Sequence, residues 1–185
     1  KINFFLPMEL VKRYVFLIVY MYLIFDTETT GLPKKWNAPI TDTDNWPRCV
    51  QLAWQLHDNN GKIISNSSCL IKANDFDIPF ESEKIHGIST ELSKQIGLEL
   101  ADVLKSFLND LNQTKYIIGH NLKFDLNIIR AELFRLQLED TLKDKTVLDT
   151  CTEKTASLCK IPGGRSGKFK FPTLIELYQH LFSAD

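Results

Sequence analysis

Tyr22-Leu23-Ile24-Phe25-Asp26-Thr27-Glu28-Thr29-Thr30-Gly31-Leu32-Pro33 is the stretch from which the rest of the chain can be read. The short apolar run Tyr22 to Phe25 reads as a buried strand, and it stops on two acids. Alternate residues of a strand leave the same face about 7 Å apart. Asp26 and Glu28 therefore address one site from one side, with Thr27 turned away between them. Gly31 and Pro33 punctuate the turn that follows. Two carboxylates at the end of a buried strand are costly unless something cationic or protonated compensates them. A metal ion is the natural compensator.

A chain of 185 residues is most simply one domain with a sizeable core, and 44% hydrophobic with 24% charged residues is ordinary for a globular protein. The net charge of −1 excludes a strongly basic nucleic-acid coat. It leaves open a nucleic-acid enzyme whose carboxylate site gains positive charge only when loaded with cations. Cys49, Cys69, Cys151 and Cys159 form no CxxC pair and read as reduced, mostly buried thiols of a cytoplasmic protein.

Lys12 and Arg13 precede an apolar run from Tyr14 to Phe25, which imitates a signal peptide. The run is short against the roughly 20 residues of a membrane span, and its second half is needed as the strand carrying Asp26. Residues 1–20 are read as an upstream appendage, with Met21 a sensible start and no membrane attachment expected.

Residues 33–48 form a long polar connection in which Asp42 and Asp44 read better as solvated loop acids than as metal ligands. Its Trp36 and Trp46 either stack on a nucleic-acid strand or pack on their own domain. Val50 to His57 alternates as a strand, Asp58-Asn59-Asn60-Gly61 is a turn, and Lys62 to Ile71 resumes extended character. After a loop at Asp75 to Pro79 comes Ile85-His86-Gly87-Ile88, with Ser89 or Thr90 as the cap of the next helix. Leu98 to Leu111 has helical apolar spacing. Lys115 to Ile118 is a short buried strand broken by Gly119-His120-Asn121. A helix follows from Leu122 to Leu136, with Phe124, Ile128, Ile129, Leu133 and Leu136 inward. Asp125 lies in its first turn, where the helix dipole favours a carboxylate.

Thr146 to Thr150 is a further strand, with Asp149 assigned to capping, and it runs into a helix near Cys151 to Cys159. Lys160 to Pro172 is a basic, Gly-rich loop that fails the phosphate-binding pattern at Pro162 and Phe169. Arg165, Lys168 and Lys170 there suit either a nucleic-acid backbone or solvent. A last helix, capped by Thr173, runs to Phe182.

The first stretch resembles the opening motif of the DEDD superfamily of 3′–5′ exonucleases, and Gly119 to Asp125 resembles the second. The resemblance covers residues 21–182. It implies an α/β, ribonuclease H-like fold with a mixed central sheet that starts as an antiparallel meander and is flanked by helices. It also implies hydrolysis at the 3′ end of single-stranded DNA with two Mg²⁺ or Mn²⁺ ions. By resemblance Asp26, Glu28 and Asp125 are the catalytic metal ligands. Thr29, Gly31, Leu32, His86, Asn121 and Phe124 are the substrate contacts.

The subgroup with His in its third motif includes proofreading exonucleases of bacterial replication, so a DNA polymerase subunit is the expected partner. The third motif is a His followed five residues later by an Asp. His180 and Asp185 have that spacing, but His180 sits in the helix that precedes the motif in the family, so the pairing reads as chance. On this reading residues 21–185 are an exonuclease domain lacking its C-terminal helix, nearly inactive alone. An RNA 3′-end-processing exoribonuclease and a non-catalytic nucleic-acid-binding module are the alternatives.

Overall fold

A computed structural model describes residues 21–164 and 167–183. Residues 1–20, read above as an upstream appendage, and Arg165 and Asp185 lie outside the described residues. Among those described, five strands form: Tyr22–Thr29 (β1), Cys49–His57 (β2), Ile63–Leu70 (β3), Tyr116–Gly119 (β4) and Thr146–Asp149 (β5). They lie in the order β3-β2-β1-β4-β5. The first three run antiparallel as a meander, while β4 and β5 join parallel. The helices are Phe80–His86 (α1), Thr90–Ile96 (α2), Leu100–Asn112 (α3), Lys123–Arg135 (α4), Glu153–Cys159 (α5) and Leu174–Phe182 (α6). This is the expected α/β fold with a mixed sheet.

One face of β1 makes the core. Leu23 and Phe25 are buried with Leu104, Phe107 and Leu111 of α3 and Ile128, Ile129 and Leu133 of α4. The Phe25 and Phe107 rings meet edge to face at 5.3 Å. The expectation of a buried strand holds for one face and is corrected for the other. Ile24 is 40% exposed and Asp26 is exposed as well, because α3 and α4 both pack on the other side. The two acids stand on an open face, where ligands can reach them.

Local chemistry explains the boundaries. Asp58 Oδ1 accepts the amides of Asn60 and Lys62, closing the turn between β2 and β3. Ser89, rather than Thr90, caps α2 through the Leu92 amide. Leu98 bridges to Ile71 and stays outside α3. Leu136, expected inward, is 37% exposed because α4 ends at Arg135 and Gln137 turns the chain at φ 56°. Of β4, Ile117 is buried and its neighbours only partly so. Cys49 is the one fully buried thiol, and all four cysteines are free. Helix α1 was missed, although Pro79 before it and Gly87 after it (φ 76°) are its start and stop signals. Among the described residues no helix is long and apolar enough to cross a membrane.

Candidate active site

Strand β4 pairs with β1 only from Tyr22 to Ile24. Beyond that the two strands part, and the first turn of α4 enters the gap. Asp125 fills it, 5% exposed, and takes the role of the missing strand partner. Its Oδ1 accepts the Thr27 amide at 3.0 Å and the Thr27 hydroxyl at 2.6 Å. Thr27 does turn away from Asp26 and Glu28, and in doing so becomes the anchor of the third acid. A crevice at the carboxyl ends of diverging parallel strands is where open α/β sheets bind ligands.

The start of α4 is fixed from the other side. Asp149 accepts the amides of Asn121 (2.9 Å), Leu122 (3.0 Å) and Cys151 (2.7 Å). Its capping role therefore serves α4, while Thr152 and Thr155 cap α5 themselves. Asn121 turns at φ 61° with its side chain exposed.

Electrostatics couple the three acids. Burial pushes the Asp26 carboxyl above its usual range, against the pull of the Thr27 amide and of His120. Burial and the Asp26 charge push Glu28 up, with His86 pulling it down. Burial, opposed by the Thr27 hydroxyl and joined by the Asp26 charge, pushes Asp125 up to about 6. All three are anionic groups held in need of positive charge. The donor set, oxygen only, fits a hard divalent ion such as Mg²⁺ or Mn²⁺. Among the described residues, no three His, Cys, Asp or Glu side chains are grouped so as to hold a metal as they stand. The acids form a charge cluster centred on Asp26, and a closed coordination shell is not preformed.

Two histidines flank the cluster. His86 Nδ1 accepts the Ile88 amide at 3.1 Å, so in the neutral ring the proton sits on Nε2, which is buried without a partner. That leaves a donor free beside Glu28. His120 Nε2 faces the Pro172 carbonyl and Nδ1 the Thr150 hydroxyl, both at 2.9 Å. His120 had no assigned role in the sequence, although it stands inside the Gly-His-Asn signal. Its bonds tie the end of β4 to the segment leading into α6.

The remaining residues divide. Thr29 is buried and its hydroxyl donates to the Gly31 carbonyl at 2.7 Å, shaping a turn in which Gly31 takes φ 145°. Leu32 is 73% exposed at the tip of that turn. The Trp36 and Phe124 rings lie 5.9 Å apart, and half of Trp36 is open to solvent. Trp46 is buried and donates to the Pro39 carbonyl, so the two tryptophans of this loop have different duties. Asp42 and Asp44 are exposed, in line with solvated loop acids. Lys168 and Lys170 pair with Glu153 and Glu176.

The fold is that of a mixed-sheet α/β protein, with Asp26, Glu28 and Asp125 near the parting of β1 and β4. Comparison with known proteins then gives the family. The model of the RNase T exonuclease family matches residues 23–166, and the chain belongs to that family. The DNA polymerase III subunit epsilon of Rickettsia conorii is 30% identical over 119 residues, covering 64% of this chain and 46% of that one. The epsilon subunit of Rickettsia typhi is 29% identical over 143 residues, covering 77% and 57%. The chain thus spans about half the length of these relatives. Among solved structures, E. coli exonuclease I in complex with a dT13 oligonucleotide superposes with a TM-score of 0.64 at 20% identity. That match covers 87% of this chain and 35% of the other.

Proposed function

We propose that the chain is a metal-dependent 3′–5′ exonuclease that hydrolyses phosphodiester bonds at single-stranded DNA 3′ ends, serving proofreading beside a DNA polymerase subunit in the cytoplasm. The observation that carries this reading is the seating of Asp125 against Thr27, between Asp26 and Glu28 in sequence, where β1 runs on past its pairing with β4. Family membership and the epsilon relatives support the reaction class.

Asp26, Glu28 and Asp125 would hold Mg²⁺ or Mn²⁺, which supplies an activated water and charge for the scissile phosphate. Thr27 keeps Asp125 aimed and ionisable. The His86 Nε2 proton is available to a phosphate oxygen. Trp36 and Phe124 offer ring faces for the terminal base, Leu32 projects beside it, and the Thr29–Gly31 turn shapes the seat. Asn121, exposed where α4 begins, is poised to contact the sugar. In the neutral ring His86 commits its lone pair to the Ile88 amide, and both His120 nitrogens are engaged by the Thr150 hydroxyl and the Pro172 carbonyl, so neither is set to accept a proton from water.

The test is a matched pair of 5′-labelled DNA and RNA oligonucleotides with Mg²⁺ or Mn²⁺. Slow but stepwise loss of DNA from the 3′ end, abolished in Asp26→Ala, is the expected result. Preferred cleavage of RNA would move the assignment to 3′-end processing of RNA. Binding of either strand with no cleavage in either metal would make the domain a binding module.

A further inference from the structure

We propose that Glu132, a fully buried acid without an assigned role, is a positioning residue that fixes the exit of β1 and with it the nucleotide seat; this rests on the exonuclease reading above. Asp125 and Glu132 lie two turns apart on one face of α4. Asp125 holds β1 at Thr27, and Glu132 holds the opening of β2. Its Oε1 accepts the Cys49 amide at 2.8 Å and Arg48 Nε at 3.1 Å, and lies 3.2 Å from Arg135 Nη1.

The held point is where the β1–β2 ladder slips. Glu28 pairs with Gln51 but Thr29 with Cys49, so Val50 is an extra residue opposite β1. A bulge of this kind re-aims the neighbouring side chains, and the neighbour here is Glu28. Past the bulge, Arg48 clamps Thr30 twice: its carbonyl accepts the Thr30 amide and its own amide donates to Thr30 Oγ1, each at 3.0 Å. Arg135 Nη2 donates to the carbonyls of Thr43 and Trp46, both at 2.6 Å. One carboxylate therefore gathers both ends and the far side of the loop that carries Gly31, Leu32 and Trp36.

The cluster is poorly built for stability alone. Glu132 Oε2 and Arg135 Nη1 are buried without a hydrogen-bond partner. Orphan polar atoms and a buried ion cluster are costly, and an apolar replacement of the same shape is often as stable. A network retained at that cost, at the one bulge beside Glu28, is explained by what it positions.

The experiment measures the Kd of a deoxynucleoside 5′-monophosphate with Mn²⁺ by calorimetry, well below the melting temperature, beside thermal melts. Glu132→Gln, the charge-balanced Arg48→Met/Glu132→Met double variant, and Asp75→Ala are compared with wild type. Asp75, itself 70% exposed, holds only the outer arm of Arg48. Positioning predicts a Kd weakened about tenfold or more in both Glu132 variants, including a double variant that melts like wild type, with Asp75→Ala unchanged. A wild-type Kd in the folded double variant overturns the inference while leaving the exonuclease reading intact. A wild type that binds no nucleotide overturns the reading itself, and the inference with it.

Discussion

Thr27 and Asp125, 98 residues apart in the chain, are joined by two hydrogen bonds that converge on a single carboxylate oxygen. The bond pair leaves the other oxygen available, and its strength lies in the ionised form of the acid. Thr27→Val keeps the shape and the amide bond but removes the hydroxyl. Hydrogen bonds to charged groups are worth about 1.5–3 kcal/mol, and partners behind a metal ligand typically control 10- to 100-fold in affinity. Thr27→Val is expected to weaken Mn²⁺ binding about tenfold, measured by titration calorimetry, while the fold persists by circular dichroism.

The raised Asp125 carboxyl makes stability depend on pH in a defined direction. Its folded value of about 6 lies above the ordinary 3.8. Between those values the native state keeps a proton that the unfolded chain has released. The stabilisation is therefore complete below about pH 4 and lost as pH rises through about 6. Asn at this position keeps a carbonyl oxygen for both Thr27 bonds and carries no charge. In EDTA at pH 7, Asp125→Asn is expected to be more stable than wild type by about 1–3 kcal/mol. The two should converge near pH 4 in urea titrations. Equal stability at both pH values would contradict the buried-charge account.

The same charge cluster predicts metal linkage. A cation bound only by the folded state raises stability by mass action, about 2.7 kcal/mol at 100 times its Kd. Mn²⁺ should therefore raise the melting temperature of wild type, with EDTA reversing it. Asp26→Ala should abolish the shift, because Asp26 is the acid coupled to both others.

Strand alternation placed Asp26 and Glu28 on one face because a period of two is a local property of the backbone. That Asp125 would meet Thr27 was not legible, since it depends on β4 leaving β1 after Ile24. Nor was the open face of β1, because Ile24 and Leu23 are equally apolar in sequence and only the side chosen by α3 and α4 separates them. Helix α1 escaped notice because Phe80 and Ile85 are 65% and 84% exposed, so its apolar residues carry no inward periodicity. Glu132 reads as an ordinary helix-surface acid until the bulge at Cys49 is seen.

Asp149 offers a test of how rigidly the second acid-bearing turn must be held. Three amides converge on its two oxygens. Removing a helix-start acceptor costs about 0.5–2 kcal/mol. Asp149→Ala, which strands all three donors, is expected near or above the upper end of that range. Asp149→Asn keeps one acceptor oxygen and turns an amide donor toward the remaining N–H, so it should lie between wild type and Ala. Urea unfolding ranks them, and Mn²⁺ affinity should fall in the same order if the turn sets the aim of Asp125.

The Trp36–Phe124 pair separates base recognition from chemistry. Base stacking on an aromatic side chain is worth about 1–3 kcal/mol per base and tolerates any sequence. Trp36 is half exposed and lies 5.9 Å from Phe124, so its truncation leaves the core untouched. Trp36→Ala is expected to raise the KM for a single-stranded oligonucleotide about tenfold while kcat changes little, because the acids on β1 and α4 remain in place. Phe124→Ala, one residue before Asp125, should lower kcat as well as raise KM. A Trp36→Ala variant with an unchanged KM would remove this ring from the substrate seat and leave Leu32 as the apolar group that meets the base.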